Sequence, residues 1–98
     1  MESTAAFDPW EPAMLAPRLI AARQALGLNK GEFADMIGLD RSSYTKIEKG
    51  LKPLLPREAS RIWQLYGIDL NFIYLGQVGG LPSNLSSKVI ANLKAATE

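Results

Sequence analysis

Five glycines (Gly27, Gly38, Gly50, Gly67 and Gly76) divide the middle of this chain into short segments, and that punctuation limits what it can fold into. Within each segment the apolar residues recur every three or four positions, and nowhere do they alternate every second residue, so the period is that of helices. A polar residue with a short side chain often opens a segment and a glycine often closes it, the order expected of an N-cap and a C-terminal stop. The predicted fold class is therefore all-α. A first helix is expected over roughly 16–26, with Pro17 in its first turn and Leu15, Leu19, Ala22 and Leu26 along its buried stripe. Residues 1–14 contain Pro9 and Pro12 and are expected to form an arm, with Phe7 and Trp10 placed to pin it to the body. A fourth helix is expected from Pro56 to Tyr66, with Ala59, Ile62, Trp63 and Tyr66 inward. Asp69 is expected to cap a short fifth helix, "LNFIYLG". After the hinge "QVGGLPS", Ser83 or Asn84 is placed to cap a sixth helix carrying Leu85, Val89 and Leu93 on one stripe. That stripe suits either intramolecular packing or a dimer seam. The expected organisation is an arm over 1–14, a five-helix domain over 15–76, and a hinge with a C-terminal helix over 77–98.

The segment "NKGEFADMIGLDRSSYTKIEKG", Asn29 to Gly50, holds two of these helices around one sharp break, Gly38-Leu39-Asp40. Asn29 with Glu32 three residues on has the form of a capping box. Phe33, Met36 and Ile37 make the apolar face of the first of the two helices, and Ala34 leaves room for close approach. Asp40 caps the second, Arg41 to Lys49. At 100° per residue, Tyr44, Ile47, Glu48 and Leu51 fall on one side of it and Ser42, Thr45, Lys46 and Lys49 on the other. Helix, short glycine-containing turn, helix is the geometry of a helix-turn-helix. Small hydroxyl side chains and cations on an exposed helix face suit the DNA major groove, where Arg and Lys pair with guanine and Ser and Thr approach without crowding.

The charge agrees. The net formal charge is only +1, but residues 41–61 alone carry +4, residues 1–17 carry −3, and the rest balance. Local clustering is what a polyanion demands. Other classes lose ground. With no cysteine and no histidine there is no thiolate metal site, no disulfide, no Cys nucleophile and no His-based acid–base chemistry. Ser42, Ser43 and Thr45 have no evident base to activate them, so an enzyme is not expected, and neither is a cofactor or a metal. No run of about 18 apolar residues is present, so no membrane span is expected. The acidic N-terminus lacks the order of a signal peptide, and a cytoplasmic protein is expected.

Leu28 to Gly50, "LNKGEFADMIGLDRSSYTKIEKG", resembles the Cro/CI-type (XRE, lambda-repressor-like) helix-turn-helix domains, and the likeness extends to "RLIAARQALG" upstream and "YGIDLNFIYLG" downstream. The resemblance implies a compact five-helix DNA-binding domain with a short C-terminal helical extension. It implies that Arg23 and Glu48 form an internal salt bridge between the first helix and the recognition helix. It implies base contacts from Arg41, Ser42 and Lys46 with Ser43 and Thr45 bordering them, and phosphate contacts from Lys30, Lys49 and Lys52. Two positions depart from the family pattern: Lys30 stands where Gln is common, and Gly31 sits in a first turn that usually carries a better helix former.

Plainer readings remain for several residues. Glu48 could pair with Lys52 on the surface at i,i+4, and Trp63 and Tyr66 are expected in the core rather than as a stacking platform. The function expected is sequence-specific double-stranded DNA binding by a homodimeric transcription regulator, a repressor. The alternative is an antitoxin or adaptor whose arm or tail holds a protein partner.

Overall fold

The computed structural model describes residues 8–97. Among them are six α-helices and no strand: α1 (Pro12–Ala25), α2 (Lys30–Met36), α3 (Arg41–Glu48), α4 (Pro56–Tyr66), α5 (Leu70–Leu75) and α6 (Ser83–Thr97). No helix among the described residues is long and apolar enough to cross a membrane.

The first helix begins earlier than its sequence pattern predicts. Pro12, not Pro17, takes the opening position, where a missing N–H is harmless. Pro17 lies inside α1 on an exposed side, and the carbonyl that its ring deprives of a donor belongs to Ala13, which is itself exposed. The arm is thus shorter than residues 1–14. Its described part is tied down by Arg18, whose Nη1 donates to the carbonyls of Pro9 (2.7 Å) and Ile73 (3.0 Å). Trp10 does not pin it, being 56% exposed, and Phe7 lies outside the described residues.

The core gathers Leu15, Leu19, Phe33, Tyr44, Ile47, Ile62, Ile68 and Phe72, and α6 completes it with Leu85 and Val89 while Leu93 packs at its margin. The tail stripe therefore packs within the chain, against a body to which Asn92 also donates, its Nδ2 reaching the Ala21 carbonyl at 3.1 Å. The first carbonyl of α6 to accept bonds belongs to Pro82, taking Leu85 N and Ser86 N, so neither Ser83 nor Asn84 is the residue before the helix.

Three apolar residues expected inward are exposed: Trp63 at 52%, Met36 at 45% and Leu51 at 74%. Trp63 is one residue, hence about 100°, beyond the buried Ile62 and leaves the stripe. On the same helix Glu58 is buried instead, 3% exposed, and its Oε1 accepts from Leu55 N at 3.0 Å. Leu51 lies past the point at which the wheel stops applying. Gly50 takes φ +74° and the chain ends α3 in a Schellman motif, with Gly50 N to Ile47 O and Leu51 N to Lys46 O both at 3.0 Å. A side chain at Gly50 would also meet the Ala13 backbone, its Cβ 3.2 Å from Ala13 Cα, so the end of α3 lies directly against α1.

Val89 is fully buried, so Val89→Ala should destabilise the whole domain by about 2 kcal/mol, the transfer and cavity terms for two buried methyl groups. A single cooperative thermal transition with a lowered midpoint is the expected result. An unchanged midpoint would mean that α6 is not part of the folding unit.

Candidate nucleic-acid interface

The two helices of the opening motif are capped as their sequences require. Asn29 Oδ1 accepts from Glu32 N (2.8 Å) while Glu32 Oε1 accepts from Asn29 N (2.9 Å), a complete capping box. Asp40 Oδ2 accepts from Ser43 N at 2.9 Å, and that bond to a backbone N–H holds its carboxyl below the usual range. Between them the chain turns at Gly38, with Leu39 N bonded to Ala34 O at 2.9 Å. Phe33 of α2 meets Tyr44 of α3 edge-to-face, centroids 5.5 Å apart and planes at 80°. Ala34 is fully buried where the helices approach.

The orientation of α3 is fixed from beneath by a polar cluster. Arg23 Nε donates to Glu48 Oε2 at 2.7 Å and Nη2 to Oε1 at 3.3 Å, a bidentate pair with side-chain exposures of 12% and 3%. Arg23 Nη1 donates to the Leu28 carbonyl at 3.0 Å, and the Tyr44 hydroxyl donates to Glu48 Oε2. Every buried side-chain nitrogen and oxygen among the described residues has a partner. Donating to Glu48 raises the Arg23 pKa, and burial followed by that same carboxylate pushes the Tyr44 phenol up, so both donors stay protonated. The surface alternative, Glu48 with Lys52, is not what forms: Lys52 Nζ donates instead to Ser43 Oγ at 3.0 Å.

On its other side α3 presents the residues picked out in the sequence. Tyr44, Ile47 and Glu48 are buried, Arg41, Ser42, Lys46 and Lys49 are exposed, and Ser43 and Thr45 are half-buried. Lys30 and Lys52 are exposed at the flanks of the same motif. Lys30, Lys46 and Lys49 enter no ion pair among the described residues, so their charge is available to a ligand. Thr45 differs: its Oγ1 donates to the Arg41 carbonyl one turn back at 3.0 Å. Ser43 already accepts from Lys52. Arg41 is engaged too, its Nη2 lying 2.9 Å from Asp35 Oδ2 and its Nε 3.5 Å from Oδ1. Asp35 was not singled out in the sequence. It and Arg41 belong to different helices six residues apart, and no periodicity relates them. The role of Tyr44 had a visible signal, since it stands at i,i+4 from Glu48 on the inner face.

The comparisons with known proteins agree with this geometry. A family model described as helix-turn-helix, HTH_3, matches residues 19–73. The chain belongs to the XRE-type helix-turn-helix family. Comparison with curated proteins and with solved structures finds no match. The matched span of this XRE-type domain runs from within α1 to within α5, and α6 lies outside it. The family is one of DNA-binding transcription regulators, and the chain carries the XRE helix pair with its Arg23–Glu48 clamp formed.

Glu48→Ala should leave Arg23 and the Tyr44 hydroxyl buried without their acceptor. Removing one side of a buried pair costs on the order of 3–5 kcal/mol, and the small exposure of Arg23 places this case near the lower end. Thermal melting without DNA tests it. A midpoint equal to the parent's would remove the network from the list of folding determinants.

Proposed function

We propose that the protein is a sequence-specific, homodimeric repressor that places α3 in the major groove of double-stranded DNA. The observation carrying this reading is the division of α3: one side is clamped to the body through Glu48 and Tyr44, and the other exposes Ser42, Lys46 and Lys49 beside Arg41. In this reading Arg41, Ser42 and Lys46 meet base edges, with Ser43 and Thr45 at the margin, and Lys30, Lys49 and Lys52 hold phosphates. Repression requires only that the operator be occupied, whereas activation requires a further surface for the transcription machinery. Such a regulator works where the DNA is, and we place it in the cytoplasm.

A single short recognition helix spans few base pairs, and a dimer reading two half-sites about 34 Å apart supplies the missing specificity. With the α6 stripe packed inward, the seam is assigned to the outer side of α5. Leu70 (37%) and Leu75 (44%) at the two ends of that helix are exposed, as is Val78 (38%) in the segment after it, and Arg18 holds the backbone next to Trp10 against the end of the same helix. A protein partner bound through the arm is the second reading, favoured by the exposure of Trp10.

Two measurements test the main reading. In binding to a library of operator variants at several salt concentrations, Lys46→Ala should change the preferred sequence, by about 1–3 kcal/mol at one position per half-site. Lys49→Ala and Lys52→Ala should keep the preference and lower the magnitude of the log K against log salt slope by about 1 per contact, hence about 2 for a dimer. The reverse pattern would put the recognition helix in a different register. Sedimentation of the saturated complex should find two chains per operator and, for Leu75→Glu, a loss of the dimer; one chain per operator would refute the homodimer.

A further inference from the structure

Arg41 opens α3, yet its guanidinium does not hang free. The Nε and Nη2 edge of the fork faces Asp35, at 3.5 Å and 2.9 Å from its two carboxylate oxygens. One face of the same group rests on α2. A Cβ built on Gly31 would lie 2.7 Å from Cζ, 2.9 Å from Nε and 2.9 Å from Nη1. Near-equal distances to three bonded atoms put that point over the guanidinium plane rather than beside an edge. Gly31 is not among the glycines with positive φ, so its backbone conformation does not call for glycine. What a side chain there would do is displace the guanidinium from the position it holds.

This arrangement does little for the fold. The Arg41 and Asp35 side chains are 69% and 61% exposed, and surface pairs of that kind contribute little to stability. Glycine inside a helix weakens it. A negative charge on a DNA-facing helix opposes phosphate. The features that disfavour stability and general affinity converge on one side chain, and what they leave uncovered is its terminal edge, Nη1 with the second N–H of Nη2. That parallel pair of donors matches O6 and N7 of guanine. Holding a long side chain in place before binding removes part of the ordering entropy that binding otherwise opposes.

From this geometry we propose that Asp35 and Gly31 are specificity-determining residues, forming a seat on α2 that fixes Arg41 to read one guanine in each half-site. The inference rests on the reading of Arg41 as a base contact and adds what positions it. Asp35 acts in a second way: its charge opposes close approach to any DNA at which Arg41 finds no guanine.

The experiment is selection of bound sequences from random double-stranded DNA by the parent, Arg41→Ala, Asp35→Ala and Gly31→Ala, with thermal melting of each. Arg41→Ala should erase a guanine at one position per half-site. Asp35→Ala and Gly31→Ala should weaken that same guanine by about three- to tenfold, part of what a bidentate pair supplies, and leave the other positions intact. Asp35→Ala should also bind unrelated sequences more tightly, and Gly31→Ala should melt no lower than the parent. If Arg41→Ala erases the guanine while Asp35→Ala and Gly31→Ala keep or sharpen it, Arg41 reads unaided and the seat is refuted, with the base contact intact. If Arg41→Ala leaves every position unchanged, the base contact itself is refuted and the seat with it.

Discussion

The bidentate pair between Arg23 and Glu48 is the interaction on which the orientation of α3 depends. It joins α1 to α3, and the third guanidinium nitrogen reaches the Leu28 carbonyl, so the connection into α2 is held from the same point. Glu48 Oε2 takes a second donor, the Tyr44 hydroxyl one turn earlier in α3. A buried ion pair in isolation is weak support for a fold, because desolvation opposes the Coulomb gain. Here each buried polar atom of the cluster has a partner, which is the condition under which such a group fixes a unique arrangement. A purely apolar contact under α3 would tolerate small rotations of the helix. The paired carboxylate does not, and a rotation of α3 would carry its exposed residues Ser42 and Lys46 away from their present direction.

Packing around that cluster works in the same direction. Phe33 stands edge-on to Tyr44, and the missing side chain at Gly50 lets the last turn of α3 settle against Ala13. α3 is therefore held at its start by the Asp40 cap, along its middle by Tyr44 and Glu48, and at its end by the Gly50 contact. α6 then covers α1 from another side, so the helix that anchors the clamp is itself braced by an element outside the matched family span. The basic residues that remain exposed stand on a stiff support, and less ordering is left for binding to impose.

Much of this was legible along the chain. The number of helices, the capping box at Asn29 and Glu32, the Asp40 cap and the inward Tyr44, Ile47 and Glu48 follow from spacing and from side-chain chemistry acting over one turn. The Arg23–Glu48 pair was legible only through the family resemblance, since no local rule joins residues so far apart. The misplacements are Pro17 for Pro12, Met36, Trp63 and Leu51 as inward residues, Trp10 as an anchor, and Ser83 or Asn84 as the cap of α6; each applies a local rule to a position that the rest of the chain decides.

Gly31 and Arg41 show the same boundary most sharply. By sequence alone, Gly31 is a helix-weakening residue, worth up to about 1 kcal/mol against a better helix former, and Arg41 is a cation at a helix start. Only the tertiary structure lays the guanidinium over that glycine and against Asp35. What the sequence by itself determined is the set of helices, their caps and the chemistry of their faces, because those depend on neighbours within a turn. Tertiary structure decided which faces are covered, where the α6 stripe goes and which side chains meet across the α2–α3 turn. Those outcomes depend on the angle between helices, which is set by contacts between residues distant in the chain.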